Sequence, residues 1–90
     1  MPFEAELVRY PGPAAWVVVP VPEEHAPPAA GPFGRTPVVA VVDGVSWATS
    51  AWRDRSGGWM LPVPARVRRG KGDGDVVTVE ITVDAGRTGR

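Results

Sequence analysis

The sequence predicts an all-β fold: a small closed or split β-barrel of about six short strands, with at most one or two helical turns. Three observations predict it. Eleven prolines and eleven glycines in ninety residues forbid long helices, because each proline inside a helix costs roughly 3 kcal/mol. Several runs alternate apolar and polar residues with the period of two that marks a half-buried strand. Asp43-Gly44 stands between two β-branched runs, a pairing that fits a tight hairpin because both central turn residues then take positive φ. Ninety residues make one domain, 1–90, with the barrel over about 3–83 and a frayed tail over 84–90.

The elements follow in order. "FEAELVRY" sets Phe3, Ala5 and Leu7 against Glu4 and Glu6, a half-buried strand. "YPGPAA" breaks it with a turn. "AWVVVPV" is β-branched and continuous, a buried strand ending near Pro20 and Pro22. Residues 23–37 hold four prolines and read as an irregular loop with one helical turn at 23–26; so long a loop in a compact domain is often functional. "VVAVVDGVSWATSAWRD" is a hairpin. Its return strand places Val45, Trp47, Thr49 and Ala51 on one face and Ser46, Ala48, Ser50 and Trp52 on the other. "RSGG" is a second turn and "WMLPV" a short strand. "PARVRR" holds one helical turn that starts at Pro64. "GKGDGD" is a glycine-rich turn. "VVTVEITV" closes the fold: Val77, Val79, Ile81 and Val83 alternate with Thr78, Glu80 and Thr82, and Val79 and Ile81 are expected to point inward.

Composition narrows the function classes. No cysteine is present, so no disulfide, thiolate metal site or cysteine nucleophile is available. That fits the cytoplasm, as does an N-terminus with acids and no apolar leader. No segment approaches the roughly 20 apolar residues of a membrane-spanning helix. Ten basic residues balance ten acidic ones, which argues against a general nucleic-acid binder. The bases cluster, however: Arg53, Arg55, Arg66, Arg68, Arg69 and Lys71 meet only Asp54 between positions 53 and 71. A solvated face accounts for this more simply than an anion site does.

"WVVVPVPEE" and "WMLPVPARV" share a Trp, an apolar run and Pro-Val-Pro, at 20–22 and 62–64, a weak internal repeat. The second copy continues into Arg66, Arg69, Gly74-Asp75 and a valine-rich strand. That order resembles the swapped-hairpin unit of AbrB and MazE-type transcription factors. As a whole the chain resembles the bacterial family called domain of unknown function 1905. The resemblance rests on "FEAEL" at 3–7, "FGRTPVVAVVDG" at 33–44, "SWATS" at 46–50, "WMLPV" at 59–63 and "GD" at 74–75. It implies a double-split β-barrel and no established activity. Two departures stand out. Pro22, Pro27 and Pro28 oppose the helix that members carry after the first Pro-containing strand, and the segment before Gly74 is short and glycine-rich.

His25 is the only histidine and so the one candidate general base; an exposed loop histidine is the simpler reading. One imidazole without cysteine makes no transition-metal site, and "GKGDGD" matches neither a phosphate-binding nor a calcium-binding loop. No metal and no cofactor are expected. The serines lack a patterned base beside them. Four tryptophans are the more informative feature. Trp47 and Trp52 fall on opposite faces of one strand, so Trp47 is assigned to the core and Trp52 to a pocket or rim. Trp16 and Trp59, in matching places of the repeat, are assigned structural roles. The first functional reading is a barrel that binds a small molecule or peptide in its mouth through Trp52, Arg53, Tyr10 and Arg66, with His25 nearby. A small pathway enzyme of cyclase or isomerase type, using His25 in a shaped pocket, is a second. An AbrB-like DNA-binding regulator is a third, opposed by zero net charge and by a single-chain design, which fits a monomer or weak homodimer.

Overall fold

The computed structural model describes residues 2–10, 16–27, 34–53 and 58–84. The expected turns at 11–15 and 55–57, the loop residues 28–33 and the tail beyond 84 lie outside the described residues. The strands are β1 (Phe3–Glu6), β2 (Val8–Arg9), β3 (Val17–Val21), β4 (Arg35–Val42), β5 (Val45–Arg53), β6 (Trp59–Pro62) and β7 (Val76–Val83). A 3-10 turn at Glu23–His25 and a four-residue helix α1 (Ala65–Arg68) complete the described elements. All strand pairs are antiparallel, in the order β1-β7-β4-β5-β6-β3-β2.

There are seven strands rather than six because the first is interrupted at Leu7. β1 pairs with β7 at one edge of the sheet, and β2 pairs with β3 at the other. One N-terminal ribbon thus bridges both edges and nearly closes the barrel. Leu7 is the crossing point. Its N–H donates to the Asp75 carbonyl and its own carbonyl accepts from the Gly74 N–H, both at 2.8 Å. Its side chain is fully buried.

The "GKGDGD" segment is the clamp on this crossing. Besides holding Leu7, it accepts the Arg9 N–H on the Asp73 carboxylate at 2.9 Å. Asp75 accepts the Gly72 N–H at 2.8 Å, tightening the loop on itself. Lys71 Nζ reaches the Asp43 carboxylate at 2.9 Å and the Val76 carbonyl at 2.9 Å. Asp43 and Gly44 form the β4–β5 turn with φ of 47° and 86°, the two positive values a tight hairpin turn demands. Asp43 also exchanges backbone and side-chain hydrogen bonds with Thr78.

The repeated Pro-Val-Pro explains where the barrel wall opens. Just past β6 the Val63 N–H donates to the Val17 carbonyl of β3. Successive amides in a strand point to opposite edges, so Met60, Pro62 and Pro64 turn their nitrogens toward β5. Met60 continues the ladder, but Pro62 and Pro64 have no N–H to give. β5 and β6 accordingly pair only at Trp52↔Met60 and Arg53↔Trp59. On β3 the same logic turns Pro20 toward the N-terminal ribbon, and pairing there stops after Val8↔Val18. Val18 and Met60 each stand two residues before the first proline. β3 and β6 pair with each other through Val18↔Pro62, Val19↔Leu61 and Pro20↔Met60, so a local twofold passes through Val19 and Leu61. Both are fully buried at the centre of the core. Pro22 and Pro64 then cap the 3-10 turn and α1, respectively, in extended conformation.

Two expectations are revised. β4 starts at Arg35, so the irregular stretch is shorter than 23–37. Pro37 is tolerated within β4 because the pairing with β7 has already ended at Val38↔Val83. In β7, Val77 and Val79 are fully buried, but Ile81 is half-buried and Val83 exposed. Beyond Val79 the strand has lost β1 as a neighbour, and cover on that side is lost with it.

Replacing Leu61 by Ala is expected to cost about 2–5 kcal/mol, with a transfer and a cavity term; Ile81→Ala, half-exposed already, is expected to cost less than half as much. Urea unfolding of both variants checks this order. A second expectation concerns acid. The Thr78 N–H, and then Lys71, hold the Asp43 carboxyl below its ordinary value of 3.8. The folded state favours the ionised form, so this contribution is present above pH 3.8 and lost as pH falls below it. Asp43→Asn keeps a turn-competent residue, and its stability is expected to fall less steeply with acid than that of the parent.

Candidate functional site

Beyond the Trp52↔Met60 rung, β5 and β6 diverge, and a groove opens between them. One part, of about 520 Å³, runs between Trp47, Ala48 and Thr49 of β5 and the Pro62-Val63-Pro64 segment. Trp16 and Val17 form its third side, and Arg66 and Arg68 of α1 stand at its end. A second part, of about 510 Å³, continues along β5 past Ser50 to Trp52 and Arg53, with Tyr10 and Arg35 around it. Trp16 and Thr49 line both parts, so the two adjoin along β5.

Strand parity explains the aromatic lining. Ala51 is fully buried, and Val45 and Trp47 pack against the core, so the odd positions of β5 face inward. Trp52 therefore projects from the outer face, half-buried. Its ring meets Tyr10 edge-on at 5.1 Å between centroids and Trp16 at 6.3 Å. Such edge contacts are each worth about 0.5–1.5 kcal/mol beyond area burial, so the three rings hold one another in place. Trp16 is nevertheless 49% exposed. The cluster lies on the outer wall beside the split rather than inside a barrel mouth.

The arginines differ in how they are held. Arg53 lays its guanidinium over the buried Trp59 ring at 5.5 Å, a cation–π contact. Arg68 donates from Nε to the Val63 carbonyl at 3.0 Å and from Nη1 to the Lys71 carbonyl at 3.2 Å. It braces the wall of the groove. Arg66 and Arg35 are exposed. No acidic residue is among the described residues that line either part of the groove.

Tyr10, Trp52 and Arg53 thus share one part of the groove and Arg66 lines the adjoining part. His25 lines neither. It is half-buried and stacks on Phe3 with centroids 4.6 Å apart and planes inclined by 28°. Trp59 is buried, as its structural assignment requires, but Trp16 is not. Aligned on Pro-Val-Pro, Trp59 matches Val17, and Trp16 matches Gly58. The one-residue difference in Trp-to-Pro spacing reverses the face in a period-two strand, and that spacing was the signal available for Trp16. Arg35 and Arg68 were not singled out from sequence; Arg35 becomes a neighbour of Trp52 only through the register Arg35↔Trp52.

Among the described residues, no group of three or more His, Cys, Asp or Glu side chains could hold a metal ion, and no helix is long and apolar enough to cross a membrane. A search among curated proteins finds no match to the chain. The model of the family described as Domain of unknown function (DUF1905) matches residues 3–81, nearly the whole described barrel, and the chain belongs to that family.

Proposed function

We propose that this protein is a binding module whose groove takes an apolar or aromatic ligand bearing an anionic or carbonyl group. The observation that carries the reading is the Tyr10–Trp52–Trp16 cluster, left partly open on the outer wall and bordered by arginines without an acid among the described lining residues. Exposed aromatic surface costs solvation unless something covers it. Ring faces supply apolar area, and guanidinium groups supply planar donors for an oxygen pair. The balanced total charge makes this attraction local rather than a long-range field. Arg53, stacked on Trp59, is pre-oriented, and Arg66 approaches from the helix side.

Titration with a panel of aromatic carboxylates, read by tryptophan fluorescence, tests the proposal. Trp52→Ala is expected to weaken binding by about 1–3 kcal/mol, the scale of a buried aromatic contact. Its melting temperature should fall less than that of Trp47→Ala, because Trp47 is the one packed against the core. Absence of any fluorescence or calorimetric response across the panel, with the fold intact by circular dichroism, would refute the reading.

A further inference from the structure

The groove has a backbone wall as well as an aromatic one. The Asp84 N–H donates to the Pro37 carbonyl, so odd residues of β4 face β7 and even ones face β5. In the observed register Val38↔Thr49 and Ala40↔Trp47 are then the hydrogen-bonded pairs. Ala48 and Ser50 consequently turn their N–H and C=O groups away from β4, toward the split. The strand that should receive them presents Pro62 and Pro64 instead, and its pairing with β5 ends at Trp52. Over these residues β5 is an open strand edge inside a groove, an arrangement able to pair with another strand.

We propose that the split receives an extended acidic peptide, added as a strand to the open edge of β5. This rests on the reading of the groove as a binding site and names its ligand class. Backbone complementarity favours a peptide: Ala48 and Ser50 offer alternating donors and acceptors at strand spacing. Charge decides its composition. Arg66 and Arg68 stand at one end of the groove and Arg35 and Arg53 at the other, with no acid among the described lining residues. A peptide carboxylate meets a guanidinium at either end, while an aromatic peptide side chain covers the exposed face of Trp16. A second copy of this chain is a poorer occupant. Pairing β5 with β5 across a twofold axis would bring the same four arginines of both copies to one interface, like charge against like charge.

The test uses the whole chain and a fluorescein-labelled peptide of sequence VEVWVEV, followed by fluorescence anisotropy. Three companions are the same peptide N-methylated at alternate residues, in both phases, the same peptide with Lys for Glu, and indoleacetate as a competitor without a peptide backbone. The parent peptide is expected to bind. N-methylation in one phase should weaken it roughly tenfold or more, the effect of losing one or two hydrogen bonds, while the other phase, facing away from β5, has little effect. The lysine peptide should not bind, and Arg66→Ala should weaken the parent peptide and reduce its salt dependence. Because the decisive change is in the peptide, misfolding of a protein variant cannot mimic it. Equal binding of both N-methylated peptides and the parent would overturn strand addition. Binding of indoleacetate without the peptide would overturn it while leaving the aromatic-anion reading intact. Failure of both ligands would remove both. A concentration-dependent dimer that excludes the peptide would assign the edge to a second copy and overturn the proposal equally.

Discussion

The wall of this barrel is interrupted where Pro62 brings a nitrogen without a proton to the edge facing β5, and again where Pro20 brings one to the N-terminal ribbon. Hydrogen-bonded ladders close a sheet into a barrel rung by rung, and a proline leaves a rung without its donor. Because the same Pro-Val-Pro stands at the ends of both β3 and β6, the two interruptions are related by the local twofold through Val19 and Leu61. One interruption separates β5 from β6. The other lets the N-terminal ribbon leave β3 and cross to β7. Most of the remaining architecture follows from these two departures.

The crossing of the ribbon needs its own support, since a chain that changes partners exposes backbone groups between them. Here the glycine-rich segment 70–75 supplies it. It hydrogen-bonds both sides of Leu7, receives Arg9 on Asp73, and extends Lys71 to the β4–β5 turn. The glycine-rich turn is thereby occupied with internal bonds. It joins the N-terminus, the hairpin turn and the last strand, three parts distant in sequence. Asp43 is the junction of that network. Its carboxylate accepts from Thr78 and Lys71, which is also why its acidity is raised.

Among the described residues, no such clamp covers the other interruption. Trp16, Trp52 and Tyr10 pack edge to edge beside it, and arginines border it, but the exposed part of Trp16 and the outward amides of Ala48 and Ser50 face the open groove. Apolar area, cationic groups and an unextended ladder therefore coincide at one place. Elsewhere the barrel resolves such groups internally, as at Leu7. The contrast between the two splits, related by a local twofold and opposite in cover, is what makes the β5–β6 groove a candidate for function.

By itself the sequence determined the all-β class, the Asp43-Gly44 hairpin, the short helix after Pro64, the core faces of β5 and much of β7, and the family. These are local properties: period, turn chemistry and proline constraint act within a few residues of their origin. The opposite faces of Trp47 and Trp52 were legible for the same reason, since parity along one strand needs no tertiary knowledge. Trp16 was legible in principle, by its one-residue offset from Trp59, yet the likeness of the two repeats masked it. Tertiary structure decided what depends on register between distant segments. Only strand pairing sets Arg35 beside Trp52, places Tyr10 against the same ring, and removes β1 from the end of β7 so that Ile81 is half-covered. Only the fold turns the prolines of β6 toward β5 rather than toward β3. A proline in sequence reports that a donor is missing; which neighbour lacks its bond is fixed by the direction in which that residue faces, and the sheet alone supplies that direction.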